Sequence, residues 1–163
     1  MPEGKTKAIV LEIVKWLLVV AMAAAIILQL SGNAESDVPF DTVKEKVLAA
    51  ADLSEMGEAD NQMIKRLYKL SQADYDGICL YSPTSLMGVD EILLVRLSNT
   101  DQQDTVAAAI ESRLDTQLSN FDGYGTNQYE TLENSITLIR GNYILFVVAE
   151  DPDTVSQAFL DAI

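Results

Sequence analysis

Ser135 to Phe159 reads SITLIRGNYILFVVAEDPDTVSQAF. Ser135 to Arg140, with Ile136, Leu138 and Ile139 apolar, reads as a strand. Gly141-Asn142 is a two-residue connection with glycine first, the pattern of a type II′ hairpin turn. The returning strand, Tyr143 to Ala149, is almost wholly apolar, so it needs cover on both faces. Asp151 then caps a helix that Pro152 starts, and Val155, Ala158, Phe159 and Ala162 fall at i, i+3, i+4 and i+7. The unit is hairpin, then helix.

The same order stands upstream. A strand from Gly77 to Tyr81 ends at Ser82-Pro83, and a loop from Thr84 to Gly88 leads to a strand from Asp90 to Leu97. Within that strand Ile92 to Val95 is again continuously apolar. Thr100 and Gln103 form a capping box for a long helix whose inner stripe is Val106, Ile110, Leu114, Leu118 and Phe121. The sequence Phe121-Asp122-Gly123-Tyr124-Gly125 ends it, and Gln128 to Leu132 makes one further helical turn. Two short helices come first. One runs from about Asp41, as its cap, to Leu53, with Val43, Val47, Leu48 and Ala51 inward. Gly57 breaks the chain between 54 and 60, and the other runs from Asn61 to Leu70. The expectation is an α+β domain: two short helices, then a ββα-ββα unit forming a four-stranded antiparallel sheet with helices on one face. The early helices or a partner must cover the second face, because an uncovered one is an apolar patch and a binding site by default.

Before this domain, Ala8 to Leu30 reads AIVLEIVKWLLVVAMAAAIILQL, interrupted only by Glu12, Lys15 and Gln29. A helix of that length spans about 30 Å, one hydrocarbon core. Lys5, Lys7 and Lys15 lie N-terminal to its centre and no Lys or Arg follows before Lys44, which predicts a cytoplasmic N-terminus and an exported domain. Glu12 and Lys15, three apart, pair near the helix end. The run from Ile27 to Asn33 fits a cleavage site poorly, and no cysteine lies just past the apolar segment for a lipid to modify. The organisation expected is a tail and transmembrane anchor at 1–30, a polar linker at 31–39 reaching about 30 Å, and an extracellular domain at 40–163 held to the bilayer through residues 8–30.

Residues 31–163 hold 8 Lys and Arg against 23 Asp and Glu, a net charge of −15. Such a surface repels nucleic acid and anionic headgroups. Its one basic cluster is Lys65, Arg66 and Lys69, read as a solvated helix face or a patch for an acidic partner. Cys79, the single cysteine, sits in an apolar run and reads as a core residue. Asp74-Tyr75-Asp76-Gly77 is a turn and lacks the remaining ligands of a calcium loop.

The chain has no histidine, which removes histidine-dependent triads and zinc sites. S-x-x-K, G-x-S-x-G, Walker A and G-x-G-x-x-G patterns are absent, and no metal or cofactor is expected. Paired carboxylates remain, with Asp90, Glu91 and Asp122 as candidates. Asp90 and Glu91 are neighbours in a strand and point to opposite faces, so they cannot converge on one substrate.

A candidate binding surface combines Arg113 and Gln117, four apart on one helix face, with Tyr124 and Tyr129 around Gly125. Aromatic rings beside a guanidinium suit a glycan or a peptide. The competing reading pairs Arg113 with Glu111 or Asp115 and packs the tyrosines into the loop.

Gly88-Val89-Asp90-Glu91-Ile92, Arg113 with Gln117, Tyr124-Gly125, Gln128-Tyr129 and Gly141-Asn142-Tyr143, taken in order, resemble a bacterial domain of unknown function, number four-three-five-eight in its series. The resemblance covers about residues 40 to 163. It implies a small Gram-positive protein with an N-terminal anchor or lipoprotein signal, and it carries no established activity, catalytic residue or cofactor over to this chain. The resemblance also suggests a partner class at the cell envelope, because genes of such proteins often lie near those of envelope acyltransferases. The function expected is a non-catalytic binding or scaffold domain of the envelope, with an envelope protein or glycan as partner. The alternative is a carboxylate-dependent hydrolase acting on wall polymer.

Overall fold

A computed structural model describes residues 34–123 and 125–163. The folded unit spans Glu35–Ile163. Its elements are α1 (Phe40–Ala49), β1 (Met56–Glu58), α2 (Asn61–Tyr68), β2 (Gly77–Pro83), β3 (Glu91–Arg96), α3 (Gln103–Phe121), α4 (Thr126–Glu133), β4 (Ile136–Arg140), β5 (Tyr143–Val148) and α5 (Pro152–Leu160). Short 3₁₀ turns at Gln72–Asp74 and Thr100–Gln102 precede β2 and α3. The fold class is α+β, as expected. The expected transmembrane segment, residues 8–30, lies outside the described residues. Among the described residues no helix is long and apolar enough to cross a membrane.

The sheet has five antiparallel strands in the order β1-β2-β3-β5-β4, where four were expected. The added strand, β1, lies in the stretch read as a break. Three residues around Gly57 carry no alternation of their own, and pairing with β2 makes them a strand. Met56 stands opposite Pro83 and Glu58 opposite Tyr81. Backbone bonds from Ala59 N to Leu80 O (2.8 Å) and from Thr84 N to Glu55 O (2.9 Å) extend the ladder at both ends. The β4–β5 hairpin has Arg140 opposite Tyr143, with Gly141 at φ 53°. Positive φ at the first turn position and negative φ at Asn142 is the expected type II′ turn.

Helices cover both faces of the sheet: the early helix α1 lies on the second face, one of the two covers expected there, and the correction is that α5 joins it while α2 lies with α3 on the first. β5 is buried at all six positions and β3 at every position but Arg96. On one face Leu93, Val95, Ile144 and Phe146 pack under α2, α3 and α4, through Ile64, Val106, Ile110 and Leu132. On the other, Ile92, Leu94, Leu145 and Val147 pack under α1 and α5, through Val43, Val47, Val155 and Phe159. The 19-residue α3 is about 28 Å long; with α2 and α4 it fills the first face. The C-terminal helix therefore takes the second, where Phe159 meets Tyr143 edge-on at 6.5 Å. The second face is thus covered from within the chain, and the apolar patch that an uncovered face would have offered does not exist.

Helix ends follow local chemistry. Asp60 caps α2 through Met63 N at 2.8 Å, and Asp151 caps α5 through Thr154 N at 3.2 Å. Two expectations shift. Pro39, without a side-chain bond, precedes α1, and Asp41 lies inside its first turn. The capping box before α3 is made by Asn99 and Gln102, one position earlier than expected. Cys79 is 4% exposed, and burial pushes its thiol up to about 11, as suits a core residue. Ahead of α1, Ser36 is tied to the β4–β5 turn. Its N–H donates to Asn142 Oδ1 (2.8 Å) and its carbonyl accepts from Asn142 Nδ2 (3.2 Å).

Gly77 opens β2 against the ring of Phe40. A Cβ there would lie 2.3 Å from Phe40 Cγ. Gly77→Ala is expected to lift α1 off the sheet edge and to cost about 1–3 kcal/mol. In a domain of this size that lowers the thermal midpoint by several degrees, which calorimetry would register.

Candidate binding site

β3 begins with Glu91, the one acid in a strand otherwise made for burial. The period of two puts it on the face of Leu93 and Val95, beneath α2 and α3. Its residue is 1% exposed. A carboxylate there needs partners, since an unpaired buried charge is strongly unfavourable. Two helices supply them. From α3, Arg113 donates through Nε to Oε1 at 3.0 Å and through Nη2 to Oε2 at 2.6 Å. From the end of α2, the Tyr68 hydroxyl donates to Oε1. Burial works against the Arg113 charge, but Glu91 and Tyr68 outweigh it and its pKa is raised. Burial, and then the Glu91 charge, pushes the Tyr68 hydroxyl well above the ordinary tyrosine value.

Arg113 is therefore bonded neither to Glu111 nor to Asp115 but to an acid 22 residues away. It stands at the edge of a groove of about 390 Å³ between α2, α3 and the β2–β3 loop. Gln117, 9% exposed, lines the same groove. Met63, Arg66 and Leu67 come from α2, and Leu86 and Met87 from the loop. Leu86 is 99% exposed and Met87 52%. The loop is tightly built beneath them: Gly88 N donates to Ser85 O at 3.3 Å, and a Cβ on Gly88 would lie 2.8 Å from Pro83 Cβ.

The rest of the expected surface lies elsewhere. Gly125 is buried under Phe121, whose ring would stand 2.6 Å from an added Cβ. Tyr129 packs against the core below α2–α4. Neither is among the residues lining the groove. Tyr124 lies outside the described residues. The structure thus brings Arg113 and Gln117 together and adds Tyr68, Leu86 and Met87, which the sequence reading did not assign to a site, and Glu91, which it weighed only as a catalytic carboxylate. An acid opening an apolar strand, and Leu-Met inside the turn-rich Ser82 to Gly88, were the signals available.

The carboxylates diverge as expected. Glu91 turns into the core, while Asp90 lines a separate, polar groove of about 590 Å³ with Gln128, Glu130 and Glu150. Burial and then the charges of Asp52, Glu150 and Glu55 raise its pKa. Asp122 is exposed and lines neither groove. Among the described residues no group of acidic or cysteine side chains is placed to hold a metal ion.

Removing one partner of the buried pair leaves the other uncompensated. Arg113→Met is expected to destabilise the domain by about 3–5 kcal/mol, and Glu91→Leu with Arg113→Met to recover most of it, as read by urea unfolding. Tyr68 has a raised folded value, so its contribution is complete below about pH 10 and is lost as pH rises beyond it. Wild-type stability should fall more steeply above that pH than that of Tyr68→Phe.

No curated protein and no solved structure shows a significant match to this chain. The profile of one family, described as "Domain of unknown function (DUF4358)", matches residues 49–149, from the end of α1 to the end of β5. That span is more than half of the 163 residues and includes Glu91, Arg113 and the β2–β3 loop. The chain belongs to this DUF4358 family.

Proposed function

We propose that this is a non-catalytic binding module of the cell envelope, held to the membrane by residues 8–30 with its folded domain outside. The observation that carries it is the β2–β3 loop. Leu86 and Met87, the large apolar side chains left exposed among the described residues, stand together on a tightly built loop at the rim of a groove. Exposed apolar side chains beside a concave, polar-edged surface are a mark of interaction sites. The loop joins the end of β2 to the start of β3, whereas Ser36 is bound at Asn142, beside the start of β5 and the opposite end of the antiparallel sheet. The chain therefore joins the folded unit at one end and offers the loop at the other. Glu91, the one buried acid among the described residues, is neutralised by Arg113 and Tyr68, which suits a structural role for it and not a chemical one.

The wall-polymer hydrolase remains the second reading, favoured by one observation. Asp90 lies in a polar groove with Glu130 and Glu150, and burial raises its pKa in the direction a general acid requires. It predicts release of soluble fragments from purified wall polymer, lost in Asp90→Asn with the fold intact.

Affinity capture from detergent-solubilised membranes tests the binding reading. Wild type is expected to retain an envelope component that Leu86→Ser with Met87→Ser loses. A monomer with nothing above background from either protein would overturn it. Protease added to intact cells should cut near Asp37; cutting only after lysis would remove the exported location.

A further inference from the structure

Residues 31–163 carry 8 basic side chains against 23 acidic ones. Lys44 is paired with Glu58 at 2.6 Å and Arg113 with Glu91. Lys65, Arg66 and Lys69, all exposed on and just after α2, have no carboxylate within ion-pair distance among the described residues. Arg66 and Leu67 belong to two grooves at once. One is the 390 Å³ groove rimmed by Leu86 and Met87; the other, of about 500 Å³, runs between α2 and α3 and is lined by Lys69, Ala108 and Ser112. The helix is thus a basic ridge between two grooves, with the exposed apolar loop on one flank.

Lys69 adds a separate observation. It ends α2 in the left-handed conformation, φ 61°, and is the one non-glycine with positive φ among the described residues. Glycine is the residue this helix-ending position favours, and a lysine there is strained. A cation stands where the backbone alone would select a residue without a side chain.

We infer that α2 and the Ser82–Met87 loop form a docking surface for a short acidic segment of a partner protein, anchored by its own apolar side chains. This deepens the binding-module reading and rests on it. Charge selects the occupant. Screening limits exposed charges to about 8 Å at physiological salt, so a short segment on α2 meets the three cations there more strongly than the acids spread over the rest of the domain. A second copy, with a net charge of −14, or an extended anionic lipid surface would bring its charge against the rest of the acidic domain as well. Leu86, Met87, Met63 and Leu67 offer the apolar contacts, and methionine adapts readily to varied partners.

The test uses the full-length chain in non-ionic detergent and a fluorescein-labelled twelve-residue peptide of leucine and glutamate, read by anisotropy. Saturable binding is expected, weakening steeply with salt. Arg66→Glu and Leu86→Ser with Met87→Ser should each weaken it about tenfold or more. Lys69→Gly gives a readout that misfolding cannot imitate: it is expected to raise the melting temperature while weakening the peptide. Equal binding of a leucine–lysine peptide, or affinities unchanged in these variants, would overturn the inference. So would soluble dioctanoyl phosphatidylglycerol binding through Arg66 in place of the peptide, or a dimer in sedimentation that Arg66→Glu dissolves. If capture recovers a partner that Arg66→Glu does not release, this surface is wrong and the binding module stands. If nothing is captured and the peptide still binds as expected, the surface stands and its natural occupant lies outside the envelope fraction.

Discussion

Two strands without a solvent face govern this molecule. β3 and β5 lie side by side at the centre of the sheet, and between them only Arg96 is not buried. A sheet with such a centre is stable only between two layers, so the chain must send helices to both sides. Fully burying each Ile, Leu or Val contributes about 1.5–3 kcal/mol, more than any local preference of a short helix. That is why α1, with a proline before it and no side-chain cap, is still a helix: Val43 and Val47, both fully buried, hold it over Ile92 and Leu94.

Glu91 is the exception that this arrangement has to absorb. At the mouth of β3 it introduces a charge where the layer is otherwise apolar, and Arg113 and Tyr68 answer it from two different helices. Such a pair adds little net stability over apolar residues of similar shape, but it is intolerant of misplacement. It gives α2 and α3 one relative position, and the groove beside Arg113 inherits its shape from that.

Most of the sheet could be read from the residues, because the evidence was local. Gly141-Asn142 dictated the turn, and Ile92 to Val95 and Tyr143 to Val148 announced strands covered on both sides. Asp151-Pro152 started a helix where one begins. What could not be read depends on contacts between distant residues. Met56 to Glu58 becomes a strand only because β2 offers an edge. The choice of face for α5 depends on α3 having already taken the other. Arg113 had acids at 111 and 115 on its own helix, but residues two apart point away from each other, and its partner comes from a strand whose distance no spacing reveals. Of the expected surface, Arg113 and Gln117 shared a face by helical period and do line one groove; Gly125 and Tyr129 were grouped with them by closeness in sequence, which a change of chain direction after Phe121 undoes.

The bonds between Ser36 and Asn142 have a mechanical meaning. Tension arriving along the chain from residue 35 meets these two hydrogen bonds, at the tip of a hairpin, before it meets the ladder itself. The Tyr143 hydroxyl, bonded to Val38 O at 2.7 Å, stands next in line. These side-chain contacts act as a sacrificial latch. A modest pull on residue 35 would break these side-chain bonds and free the four residues before α1, ahead of the β3–β5 ladder, which is stitched through residues over 40 positions apart.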